Sequence, residues 1–111
     1  MTFVQVDIGV HTADAEDVAV QYSLGDLVLT FVDWQEQPRR KVFGDVLAFR
    51  WQEFDEDGIR DDVVYEVKGS DWLARQAQLQ GVASDGYVHY KLCFNACGCL
   101  DVLCRRVGEA A

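Results

Sequence analysis

Tyr87-Val88-His89-Tyr90-Lys91-Leu92-Cys93-Phe94-Asn95-Ala96-Cys97-Gly98-Cys99-Leu100-Asp101-Val102-Leu103-Cys104-Arg105-Arg106-Val107 reads as two strands joined by a short turn. Val88, Tyr90, Leu92 and Phe94 share one face of the first strand, and Leu100, Val102 and Cys104 form the apolar set of the second. Asn95 suits the first position of a type I turn and Gly98 the left-handed position that forms a bulge. That turn predicts Phe94 opposite Leu100 and Leu92 opposite Val102. A slip of one residue would send one apolar set to the wrong face. The same alternation puts Cys104 with the core, Cys93 and Cys99 on the opposite face, and Cys97 in the turn.

Upstream of this hairpin the period-two pattern recurs. Val4, Val6 and Ile8 alternate with polar residues; Thr12 to Asp17 is an acidic loop; Val18, Val20 and Tyr22 share the face of a short strand; Leu24-Gly25-Asp26 is a turn. From Leu27 to Trp34 both faces are apolar, which predicts a central strand covered on both sides. Pro38 lies in a polar stretch, Gln35 to Lys41, that reads as a loop. Val42 to Trp51 reads as one strand with a bulge near Gly44 and Asp45, Glu53 to Asp62 as an exposed connection, and Val63 to Val67 as a further strand.

Gly69-Ser70-Asp71 breaks the strand rhythm. The Ser70 hydroxyl can cap a helix and Asp71 complements its positive end; Trp72, Leu73, Gln76, Ala77 and Leu79 then fit one side, and Gly81 stops it. About seven strands and one short α-helix near residues 70–80, without a βαβ rhythm, predict a mainly β fold, an antiparallel β-sandwich or partly closed sheet. The alternative is an α+β fold with the helix on a curved sheet. At 111 residues the chain has the size of a single domain, residues 1–111.

Nineteen acidic residues against ten basic ones leave a net charge of −9, which repels polyanions and attracts basic proteins. Nucleic acid is therefore excluded as an expected partner and a basic protein is favoured, although acidity also serves solubility. No apolar stretch is long enough to cross a bilayer, and Met1 to Asp7 lacks the features of a secretory signal, so a cytoplasmic location without membrane association, and with reduced thiols, is expected.

Several constellations invite chemistry. Cys93, Cys97 and Cys99 with His89 offer soft ligands for a metal, or a redox-sensing thiol group, but lack paired C-x-x-C spacing. Glu53 to Gly58 resembles the opening of a calcium loop, then departs from it at Arg60 and at Val64, where a closing Glu belongs. Ser70, His11 and His89 are thin material for a nucleophile and base, so no enzyme and no cofactor are expected. Asp55, Asp57, Asp61 and Asp62 form a candidate acidic surface. Of the tryptophans Trp34, Trp51 and Trp72, Trp34 at a strand end is the best candidate for an exposed binding anchor.

The segments Phe31-Val32-Asp33-Trp34, Ser70-Asp71-Trp72-Leu73 and His89 to Val102 together resemble small bacterial β-rich proteins of uncharacterised function, some of them immunity proteins of toxin systems. The resemblance implies an immunity-like role, and with the acidic composition it favours a non-enzymatic protein-binding domain that sequesters a basic partner through Asp55, Asp57, Asp61 and Asp62. A metal-binding or redox-sensing module in the cysteine-rich hairpin is the alternative.

Overall fold

A computed structural model describes residues 1–55, 58–59, 61–94 and 97–108. Among these residues the strands are β1 (Thr2–Gln5), β2 (Glu16–Ser23), β3 (Asp26–Val32), β4 (Pro38–Gly44), β5 (Ala48–Gln52), β6 (Val64–Lys68), β7 (Val88–Phe94), β8 (Gly98–Cys104) and β9 (Arg106–Gly108). One helix, α1 (Asp71–Gln80), lies between β6 and β7. The strands form two antiparallel sheets, ordered β1-β6-β7-β8-β5 and β2-β3-β4-β9. The expected mainly β fold is thus present, with nine strands rather than about seven.

The sheets face each other across an apolar core. Leu27, Leu29 and Phe31 of β3 and Phe43 of β4 meet Leu92 and Phe94 of β7 and Leu100, Val102 and Cys104 of β8. Phe31 and Phe94 join the sheets edge to face, with ring centroids 5.5 Å apart. Each such side chain contributes roughly 1.5–3 kcal/mol on full burial. β3 is central in its sheet, paired with both β2 and β4, but only the Leu27, Leu29 and Phe31 face is buried; Val28, Thr30 and Val32 on the other face are half-buried, so the expected coverage of both sides is not complete.

The extra strands arise because two segments read as continuous are split between sheets. Val42 to Trp51 is not a bulged strand: β4 ends at Gly44, Asp45 adopts a φ of 53°, and β5 begins in the other sheet. The Val46 N–H donates to Gly25 O at 2.9 Å and the Leu47 N–H to Leu103 O at 2.8 Å, carrying the chain from one sheet to the other. The terminal segment crosses at the same corner. β8 ends at Cys104, the Arg105 N–H donates to Gly44 O at 3.1 Å, and β9 pairs with β4.

Two expected loops also become strand. Pro38 opens β4, a position where its missing N–H costs no interior ladder bond, so Arg39, Arg40 and Lys41 are paired with β3. Asp33 tightens the intervening turn: its Oδ1 accepts the N–H groups of Gln35 and Gln37, each at 2.9 Å, and its Oδ2 accepts Arg39 Nε at 2.7 Å. Glu16 and Asp17 belong to β2, where the pairing is irregular between Glu16 and Ala19. At the N-terminus the strand ends at Gln5, short of Ile8.

The hairpin keeps its predicted faces but not its predicted register. Leu92 pairs with Leu100, Cys93 with Cys99 and Phe94 with Gly98, two residues away from the expected alignment. The Cys97 N–H donates to Phe94 O at 2.9 Å, so the turn starts one residue early; Asn95 and Ala96 lie outside the described residues. Gly98, at φ 130°, serves close packing instead of the turn. A Cβ there would lie 2.4 Å from Gln52 O and 3.0 Å from the Trp51 ring.

The helix follows its local signals. Ser70 Oγ accepts the Leu73 N–H at 3.1 Å, and Gly81, left-handed at φ 68°, closes the other end with its N–H on Gln78 O and the Val82 N–H on Ala77 O. Ala77 is buried, whereas Leu79, expected on the packed side, is 72% exposed.

Candidate functional site

Alternation in the hairpin sends His89, Lys91 and Cys93 of β7, and Cys99, Asp101 and Leu103 of β8, away from the sandwich core. This second face is covered. His89, Lys91, Cys93, Cys99, Asp101 and Leu103 are all buried, with α1 and the segment after β5 contributing side chains above them.

The face carries a connected polar network. Ser70 Oγ and His89 Nδ1 are 2.7 Å apart, and His89 Nε2 and Asp101 Oδ1 are 2.7 Å apart. Asp101 Oδ2 accepts Lys91 Nζ and Arg50 Nε, each at 3.2 Å, and Lys91 also donates to Asp55 Oδ1. Two cations thus face two carboxylates. Arg50 stacks its guanidinium 4.3 Å from the Trp72 ring centre, and Trp72 meets the His89 ring at 5.2 Å.

Burial alone would raise the Asp101 carboxyl, but the His89 hydrogen bond and the charges of Lys91 and Arg50 hold it below the usual carboxylate range. Burial likewise opposes the Lys91 ammonium, and the Asp55 hydrogen bond with the Asp101 charge outweighs it, so Lys91 stays charged and is held above its ordinary value. An ionised Asp101 is an acceptor only, so His89 donates to it from Nε2, and the Nδ1 on the other side of the ring is engaged by Ser70 Oγ. The parts are those of a serine relay. Ser70 is buried, its oxygen also caps α1, and the chain of bonds fastens the start of that helix to the sheet.

The expected site residues separate accordingly. Asp55 is not part of an acidic surface: it is 6% exposed, bound to Lys91, and its Oδ2 accepts the Ile59 N–H at 2.9 Å. A carboxylate next to a buried ammonium is drawn inward by that charge, a partner 36 residues away along the chain. Asp57 lies outside the described residues; Asp61 is exposed and Asp62 half-buried. Trp34 is 57% exposed in the β3–β4 turn, as its strand-end position predicts.

His89 is unsuited to the proposed metal set, because Ser70 and Asp101 engage both ring nitrogens. Among the described residues no group of three or more His, Cys, Asp or Glu side chains is arranged to hold a metal ion. Cys93 and Cys99 face each other across β7 and β8, while Cys97 is partly exposed at the tip; all four cysteines are free.

Lys91, Asp101, Arg50 and the Ser70–His89 link were not singled out by the sequence reading. A signal existed: the hairpin's outer face mixes Cys93, Cys99 and Leu103 with single charges, and a helix elsewhere in the chain needs a sheet face to cover.

A separate cleft of about 440 Å³ lies where the chain leaves β1, opposite the segment entering β6. Val6 and Val10 supply apolar wall and Asp7, His11, Thr12 and Asp62 supply polar groups. Thr12 is 2% exposed, and its Oγ1 has no hydrogen-bond partner among the described residues.

No protein-family model, curated protein or solved structure matches the chain. No helix among the described residues is long and apolar enough to cross a membrane.

Proposed function

We propose that this chain is a non-enzymatic binding domain that holds a basic protein partner, with the Asp7–Asp62 cleft receiving a cationic side chain of that partner. The observation that carries this reading is the cleft itself, lined by Asp7 and Asp62 together with Thr12, whose buried hydroxyl has no hydrogen-bond partner among the described residues. A guanidinium offers several donors in a fixed fork, which suits carboxylate acceptors and satisfies a hydroxyl oxygen at the same time. Leaving a buried polar atom unpaired costs about 1–3 kcal/mol, so a donor that reaches Thr12 recovers stability on binding.

The net charge of −9 supports the same partner chemistry, since it accelerates the approach of a basic protein. Trp34 and Phe54, 57% and 78% exposed, supply aromatic area for contacts outside the cleft. In this reading the partner is a basic toxin, as the likeness to immunity proteins implies, and the free cysteines fit a cytoplasmic location.

The test is a titration of the labelled protein with a basic, arginine-containing peptide, followed by nuclear magnetic resonance. Shifts centred on Asp7, His11, Thr12 and Asp62, lost at high salt and in Asp7→Asn with Asp62→Asn, are the expected result. Shifts spread over the whole acidic surface, or unchanged in that variant, overturn the cleft assignment. Affinity capture from the native host at low and high salt tests the partner class: recovery of no basic protein counts against it.

A further inference from the structure

We infer that Cys93 and Cys99 form a peroxide-responsive dithiol that closes to a cross-strand disulfide beneath the hairpin tip. The backbone supplies the first argument. The Cys93 N–H donates to Val63 O at 2.8 Å, toward β6, and the N–H and C=O of one strand residue point the same way. Cys93 and Cys99 are therefore a non-hydrogen-bonded antiparallel pair. In such pairs the Cα atoms are about 4.5 Å apart and the side chains at their closest. A disulfide spans Cα separations of roughly 4.4–6.8 Å, so the bond forms without moving the strands apart.

A cavity beside the buried pair supplies the second argument, with Cys99 4% exposed and Cys93 fully enclosed, so that an oxidant meets Cys99 first. A cavity of about 350 Å³ is lined by both of these cysteines together with Cys97, Phe54, Glu53 and Asp61. Glu53 and Asp61 are exposed, and their charge disfavours an anionic oxidant such as a glutathione-type disulfide while leaving a small neutral hydroperoxide unopposed. Reactivity also divides between the two sulfurs. The Cys93 thiol donates to Cys99, which lowers the Cys99 thiol from its ordinary value against the opposing effects of burial and of the Asp55 and Asp101 charges, with the Lys91 ammonium assisting, and raises that of Cys93. Cys104, on the core face, is pushed up to about 12 by burial.

The steps balance. The Cys99 thiolate attacks one oxygen of hydrogen peroxide, the O–O bond breaks, and the departing hydroxide takes up the proton Cys99 released, leaving a sulfenic acid and one water. The Cys93 sulfur then attacks the sulfenic sulfur, the S–O bond breaks, and the hydroxide leaves as a second water with the Cys93 proton. The two sulfurs lose two electrons in all and the peroxide gains them. Gln52 pairs with Cys99 across β5 and β8, and its buried Oε1 has no partner among the described residues, so an acceptor stands on the face where the sulfenic O–H forms.

The reduced protein is treated with hydrogen peroxide, alkylated under denaturing conditions and examined by mass spectrometry. The expected product is lighter by two hydrogen atoms, carries label only on Cys97 and Cys104, contains a Cys93–Cys99 crosslinked peptide and regains all four labels after reduction with dithiothreitol. In Cys93→Ser the expected product is a sulfenic acid at Cys99, trapped by dimedone, and Cys97→Ser retains the crosslink. A crosslink through Cys97, over-oxidation of Cys97 with Cys93 and Cys99 still labelled, or no mass change overturns the inference. Because the wild-type crosslink is read directly, a variant that fails to fold does not blunt the test.

Discussion

Lys91 and Asp101 face each other across β7 and β8 with both side chains fully buried and their charged atoms 3.2 Å apart. Each is held by a further group from elsewhere in the chain, Lys91 by Asp55 and Asp101 by His89 and Arg50. Lys91→Met therefore leaves two buried carboxylates short of a cation and is expected to cost about 3–5 kcal/mol. Combining it with Asp55→Leu restores part of that loss, because the Asp55 carboxylate is then no longer buried opposite an apolar side chain at position 91. Chemical denaturation of the single and double variants checks both statements.

The same network sets an acid limb. Asp101 is depressed in the folded protein, so its contribution is fully present above the unfolded carboxylate value of about 3.9 and is lost as pH falls through the lower folded value. Stability should decline as pH drops below about 4, and Asp101→Asn should be less stable at neutral pH but flatter across that range. Denaturation midpoints for both proteins at a series of acidic pH values measure the difference.

Ser70→Ala removes two interactions at once, the cap on Leu73 N–H and the hydrogen bond to His89 Nδ1. Loss of the cap costs typically about 1 kcal/mol, and the unpaired buried imidazole nitrogen adds about 1–3 kcal/mol. Ser70→Thr keeps the hydroxyl and should recover most of this. Thermal unfolding followed by circular dichroism distinguishes the three proteins.

Two glycines with positive φ should respond differently to Ala. Gly81 has open space where a Cβ would stand, so Gly81→Ala bears only the backbone penalty of roughly 1–2 kcal/mol. At Gly98 the added Cβ meets Gln52 O at 2.4 Å, and overpacking adds about 1–3 kcal/mol. Gly98→Ala should be the less stable of the two by urea denaturation.

Asp55→Asn reverses what a surface role for the acidic segment expects, whereas Trp34→Ala follows from its exposed position. Asp55→Asn removes one charge opposite Lys91 and should destabilise the fold by at least 1 kcal/mol on the order expected of buried charge pairs. Trp34→Ala, at an exposed turn, should change stability by about 0.5 kcal/mol or less while weakening capture of a partner. Parallel stability and capture measurements on the two variants separate folding from binding.

What could be read along the chain was whatever depends on neighbours a few residues away. The alternation of Val88, Tyr90, Leu92 and Phe94 established the core face of the hairpin, because side chains of a strand point alternately to its two sides. Ser70 and Gly81 bounded the helix, because a hydroxyl and a left-handed residue satisfy the end groups that a helix leaves open. The tertiary structure decided the remainder. Whether His89, Lys91 and Asp101 face water or a helix depends on where α1 docks, and the Ser70–His89 and Lys91–Asp55 contacts join residues 19 and 36 positions apart. The hairpin register moved by two residues with its faces unchanged, because parity is set by alternation within each strand, whereas the turn and the packing of Gly98 beneath Gln52 select among the registers that parity allows.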